Sequence, residues 1–84
     1  MKRVAVISAI LEKPEETQNL FNSIVVEYKD IIRGRMGLPF IEEDISVISI
    51  TVVGEIDAIN SLNGKLGKIP HTQVKTSISK KEIE

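Results

Sequence analysis

Few side chains in this 84-residue chain could do chemistry. His71 is the single histidine and there is no cysteine. One copy of the chain therefore offers no thiolate nucleophile, no disulfide and no typical transition-metal site. His71 directly follows Pro70 and reads as a surface loop residue; the alternative is a ligand donated to a symmetric site between subunits. Carboxylates are plentiful but have structural explanations. Glu15 and Glu16 follow Pro14 and complement the positive end of a helix dipole, and Glu42, Glu43 and Asp44 fit an exposed loop beside Pro39. Paired catalytic acids need a pocket that loops this short are not expected to enclose. No serine has a base partner other than the distant His71. No catalytic residue, metal ligand or cofactor is assigned, and the chain is not expected to be an enzyme.

Glycines offer more. The run Gly34-Arg35-Met36-Gly37-Leu38-Pro39 sets two glycines, a cation and a proline within six residues. Close backbone approach and an arginine fork could capture a carboxylate or phosphate there. A β-bulge followed by a hairpin loop is the favoured structural explanation. Asn63-Gly64-Lys65-Leu66-Gly67-Lys68 has some of the look of a phosphate loop, but it lacks the GxxxxGK[ST] spacing. It also closes a helix, whereas anion sites use the start; Gly64 and Gly67 are read as allowing close packing and helix termination.

The elements that must position these residues follow from periodicity. Residues 3–11, RVAVISAIL, are almost continuously apolar and read as a central strand. After Pro14, the residues Leu20, Phe21, Ile24, Val25 and Tyr28 recur at helical spacing. A second, irregular strand is expected around Ile31–Met36, with Gly34 marking a bulge or a close backbone approach. Residues 45–53, ISVISITVV, give the strongest strand signal, ended by Gly54. Ile56, Ile59, Leu62 and Leu66 form a second amphipathic helix stopped near Gly67 and Pro70. Thr72, Val74, Thr76 and Ile78 then alternate with polar residues, as in a half-buried edge strand, and Lys80–Glu84 is expected to fray.

The order is β-α-β-β-α-β, a ferredoxin-like α+β two-layer sandwich in a single domain over residues 1–84. Right-handed crossovers would place strands one and three side by side in a four-stranded antiparallel sheet, with both helices on one face. Both sides of those central strands are apolar. Val4, Val6 and Ile10 oppose Ala5, Ile7, Ala9 and Leu11 on strand one. Ile48, Ile50 and Val52 oppose Ile45, Val47 and Val53 on strand three, the latter set joined by Ser49 and Thr51. One apolar side must remain uncovered by helices, which predicts a homo-oligomer, dimer or tetramer, built through the open face.

Composition narrows the partners. A hydrophobic fraction of 42% suits a globular chain, and a formal net charge of -1 gives no global field toward nucleic acid or membranes. Five lysines and no acid lie between Ala58 and Lys81, a basic strip that could touch nucleic acid. Sheet-based RNA readers, however, stack bases on central-strand aromatics, and those strands have none. Direct nucleic-acid binding is disfavoured. No signal peptide or membrane-length apolar run is evident, so a cytoplasmic location is expected.

The strings GRMGLPF (34–40), ISVISITVVGEIDAINSLNGKLGKIP (45–70) and VKTSISK (74–80) closely resemble the iron-only ([FeFe]) hydrogenase system regulator family. The likeness spans nearly the whole chain, and the GRMGLP and LNGKLG segments are its specific parts. It implies an ACT-like fold related to the C-terminal domain of the nickel-responsive repressor, assembly through the sheets, and a regulatory role, transcriptional or otherwise, in hydrogenase production. The nickel-sensing relatives bind metal through several histidines and a cysteine, so with one His and no Cys that function is not carried over. ACT-like domains take amino-acid-sized effectors at subunit interfaces near the first loop and the sheet edge. On that resemblance Gly34, Arg35, Gly37 and Asn63 are the candidate ligand-binding residues. The alternative role is an interaction module docking a hydrogenase-maturation or transcription partner.

Overall fold

A computed structural model of the chain describes residues 1–83. Strand β1 (Lys2–Glu12) leads into helix α1 (Pro14–Glu27), and a 3₁₀ turn (Lys29–Ile31) leads to strand β2 (Ile32–Phe40). A second 3₁₀ turn (Ile41–Glu43) precedes strand β3 (Ile45–Glu55), helix α2 (Ile56–Gly67) and strand β4 (Thr72–Ile83). The sheet order is β2-β3-β1-β4, and every neighbouring pair is antiparallel. This is the ferredoxin-like arrangement, with β1 and β3 in the centre.

Strand parity decides which apolar set meets the helices. Ala5, Ile7, Ala9 and Leu11 of β1 are buried together with Ile48, Ile50 and Val52 of β3. Phe21 and Val25 of α1, and Ile59, Leu62 and Leu66 of α2, close over them. Because cross-strand partners share a face, the pairs Ile7↔Ile50 and Ala9↔Ile48 form one continuous floor. The small alanines let the helices approach the sheet. Leu20, counted in the α1 stripe from its spacing, is instead half exposed, while Thr17 is buried and its hydroxyl donates to the carbonyls of Glu12 and Lys13.

Three expectations are corrected. Pro39 and Phe40 belong to β2 and not to a loop. An edge strand tolerates proline because one side of it makes no ladder bonds, and β2 is an edge. The run Lys80–Ile83 belongs to β4 and is not a frayed tail: beyond a bulge, Glu82 faces Arg3 and Ile83 faces Lys2. The Arg3 guanidinium secures it, donating to the Ser79 carbonyl at 3.1 Å and to Glu82 at 3.4 Å. Glu84, the last residue of the tail expected to fray, lies outside the described residues. Gly54 does not end β3 but sits inside it, where a Cβ would come within 3.0 Å of the Ile31 side chain. The bulge expected at Gly34 is present, as a register shift between Ile32 and Gly34.

Three loops meet at one end of the sheet. Lys13, Asp44 and His71 are non-glycine residues with φ of 52°, 56° and 58°, a left-handed conformation that L-residues adopt at some cost. Backbone hydrogen bonds tie these loops together, from Glu12 N–H to the His71 carbonyl (2.8 Å) and from Lys13 N–H to the Asp44 carbonyl (3.1 Å). His71 thus has a structural role as the turn that launches β4.

Candidate functional site

The residues nominated from sequence do not converge. Gly34 lies in the β2 bulge opposite Thr51, on the face away from the helices. Arg35 pairs with Ile50 and so points to the helix side. There its guanidinium donates to Asn22 Oδ1 at 2.6 Å and lies 5.5 Å from the centre of the Phe21 ring. Gly37 faces Ile48 on that same side, with nothing within 4 Å of where a Cβ would stand. Asn63 belongs to α2, and its Oδ1 accepts from the Thr76 hydroxyl of β4 at 2.5 Å. As β2 and β4 are opposite edges of the sheet, three strand spacings, about 14 Å, separate the two groups.

The glycine-lysine run 63–68 ends α2, so its free backbone groups are carbonyls and it is no anion cradle. Gly64 and Gly67 have no neighbour where a Cβ would be, so close packing within the chain does not account for them. Lys65 is engaged nearby, bonding Glu27 at 3.0 Å and lying 5.2 Å from the centre of the Tyr28 ring. The Glu27 hydrogen bond, and after it Tyr28, raise the Lys65 pKa. The Tyr28 hydroxyl is 2.7 Å from that of Ser61, a bond that lowers the phenol pKa and outweighs its desolvation. This cluster clasps the end of α1 to α2 and takes one lysine out of the basic strip.

Two surface features remain, and register builds the first. On the sheet face without helices, Phe40 pairs with Ile45, Leu38 with Val47 and Met36 with Ser49, while Val47 also pairs with Ile10, Thr51 with Val6 and Val53 with Val4. These residues form an apolar strip across β2, β3 and β1, with Met36 65% and Leu38 55% exposed. The β4 side of the same face is polar, with Gln73, Lys75 and Ser77 beside Ile10, Ser8 and Val6. The second feature is a cleft of about 210 Å³ between the first turn of α1 and the β2–β3 connection. Pro14, Glu15 and Gln18 form one wall; Pro39, Ile41, Asp44 and Ser46 contribute to the other.

Sequence reasoning missed the cleft residues as a group because segments 14–18 and 39–46 meet only through the α1 crossover. A signal existed in the prolines and acids near both ends, but each had a local explanation. A further concavity, at the other end of the sheet, holds the N-terminal amine against Glu55 at 3.3 Å and the Arg3–Glu82 pair. Two ion pairs thus occupy it, while Arg3 Nε is buried without a partner. Among the described residues no group of three or more His, Cys, Asp or Glu is placed to hold a metal. No helix among them is long and apolar enough to cross a membrane.

The four-stranded antiparallel sheet with two helices defines the chain as a small ferredoxin-like α+β domain with one apolar sheet face bare. Within it, residues 3–76 match the model of the TM1266-like family, described as "Iron-only hydrogenase system regulator, putative". The chain belongs to this family. The solved structure of uncharacterized protein TM1266 from Thermotoga maritima is similar at 30% identity and a TM-score of 0.90, covering 95% of this chain and 100% of that one. SnoaB, a cofactor-independent oxygenase from Streptomyces nogalater, shares the fold alone, at 12% identity and a TM-score of 0.59, over 100% of this chain and 97% of its own. No curated protein matches.

Proposed function

We propose that the chain is a non-enzymatic, self-associating regulatory subunit of the iron-only hydrogenase system, working in the cytoplasm and responding to a small ligand. The carrying observation is the uncovered apolar strip, which holds the exposed large apolar side chains of the sheet, Met36, Leu38, Phe40, Val6 and Ile10. Strand spacing and rise give the open face an area on the order of 700 Å². That is close to the roughly 800 Å² per partner of a standard stable interface. Two copies of the strip placed face to face would bury Met36, Leu38, Val47 and Ile10 at the centre. The polar β4 margin with Lys75 would remain at the rim, the usual anatomy of an interface. Membership of the regulator family supports the regulatory role.

Sedimentation equilibrium of the wild type and of Leu38→Lys tests it. The expected result is a dimer or tetramer for the wild type and a folded monomer for the variant, judged by circular dichroism. A wild type that stays monomeric at high micromolar concentration overturns self-association. In that case the strip would serve the second reading, docking of a hydrogenase-maturation or transcription partner.

A further inference from the structure

We infer that a second copy docks on the open face about a two-fold axis running along β3, so that β2 of each copy lies across β1 of the other. The arrangement rests on the self-associating reading and specifies which residues meet. Register sets the open face out in rows that run across β2, β3 and β1. One row is Leu38, Val47 and Ile10; the next is Met36, Ser49 and Ser8, and after it come Gly34, Thr51 and Val6. Gln73, Lys75 and Ser77 of β4 stand at the ends of these three rows.

Charge selects the axis. In a two-fold interface a residue on the axis meets its own copy, so a charge there would face a like charge. On the open face β3 presents Val47, Ser49 and Thr51 at its centre and no charged residue between Ile45 and Val53. The two hydroxyls can face their own copies, since each both donates and accepts. An axis along β1 would set Glu12 against Glu12 and press Lys75 onto β3 of the second copy. An axis along β2, the sheet edge, would overlap little beyond that strand. An axis perpendicular to the strands would lay β4 on β4 and enclose two copies of Lys75. Only the axis along β3 covers the three apolar strands and leaves Lys75 in water, which avoids the cost of desolvating its ammonium.

Size then agrees row by row, because this axis keeps each row facing itself. Gly34, with nothing within 4 Å of where a Cβ would stand, receives the exposed Val6 of the second copy. The long, exposed Met36 extends over the small Ser8, and Leu38 packs on Ile10. Facing sheets cross at about 30°. One strand spacing from the axis the slip is about 2–3 Å, under half of the roughly 7 Å between rows, so the pairing of rows is kept.

The test mixes two variants that should each fail alone. Leu38→Lys and Ile10→Glu replace exposed side chains, so both should keep the circular dichroism spectrum of the wild type. Each puts two unpaired charges into its own homodimer and should sediment at half the wild-type mass or less. In the equimolar mixture one Leu38–Ile10 contact becomes a Lys–Glu pair and the other stays apolar. The wild-type mass should therefore return at high micromolar concentration, because each charge now has a partner. Lys75→Glu, outside the contact, should retain that mass. A mixture that stays at the reduced mass beside an oligomeric wild type overturns the facing of β2 on β1 and leaves self-association standing. Loss of mass in Lys75→Glu overturns it too, by placing β4 inside the contact. A monomeric wild type, or single variants that keep the wild-type mass, defeats instead the self-association through this face.

Discussion

The two faces of the sheet are built from the same residue types and end in different situations. On one face Ile7, Leu11, Ile48, Ile50 and Val52 lie under two helices with almost no exposure; on the other Val6, Ile10, Met36, Leu38 and Phe40 meet solvent. Nothing in the side chains distinguishes Ile50 from Ile10. What differs is the handedness of two crossovers, which carries both helices to the same side. The covered face supplies the stability of the domain. The open face holds apolar area whose hydrophobic stabilisation is still unrealised.

The largest effect expected from this contrast is on folding. Ile50→Ala should cost about 2–5 kcal/mol by cavity formation, against under about 1 kcal/mol for Ile10→Ala in the monomeric Leu38→Lys background. Urea unfolding at matched concentrations measures both, and equal losses would break the comparison. Next come the glycines. Gly54→Ala on the covered face forces a methyl against Ile31 and should cost about 1–3 kcal/mol. Gly34→Ala on the open face meets nothing within 4 Å in a single chain. It should leave monomer stability within about 0.5 kcal/mol and alter only assembly, seen as a shifted sedimentation profile.

The smallest effect lies on the outer layer, at the Lys65 clasp. A lysine whose folded pKa is raised contributes stability below its ordinary value of 10.5 and loses it as pH rises through the folded value. Tyr28 is lowered from 10.0, so its contribution is present above that value and disappears as pH falls through the lowered one. At neutral pH only the lysine contributes. The stability gap between wild type and Lys65→Met should therefore be present at neutral pH and close in alkali. A gap that persists above the lysine range would assign Lys65 a packing role instead.

Much of the fold was legible in the residues. ISVISITVV and RVAVISAIL are β-branched and unbroken, and the helices follow from Pro14 with Phe21 and Val25, and from Ile59, Leu62 and Leu66. The misreadings fall where neighbours outrank local preference. Pro39 stays in a strand because that strand is an edge, and Glu82 and Ile83 pair because Lys2 and Arg3 extend far enough to meet them. The candidate site was less legible. Arg35 was singled out for its glycine neighbours, yet Asn22 and Phe21 hold it, and the cleft comes from segments some 25 residues apart that have no common periodicity.

By itself, then, the sequence determined the element order, the layer architecture and the excess of apolar surface, because periodicity and turn residues act over a few positions. It excluded thiol chemistry and a one-chain histidine or cysteine metal site by composition. Only the tertiary structure decided which apolar face is left bare, that Arg35 and Asn63 lie on opposite flanks, and that Glu15, Asp44 and Ser46 line one cleft. Those outcomes depend on crossover handedness and strand register, which bring distant residues together and which no local pattern of side chains encodes.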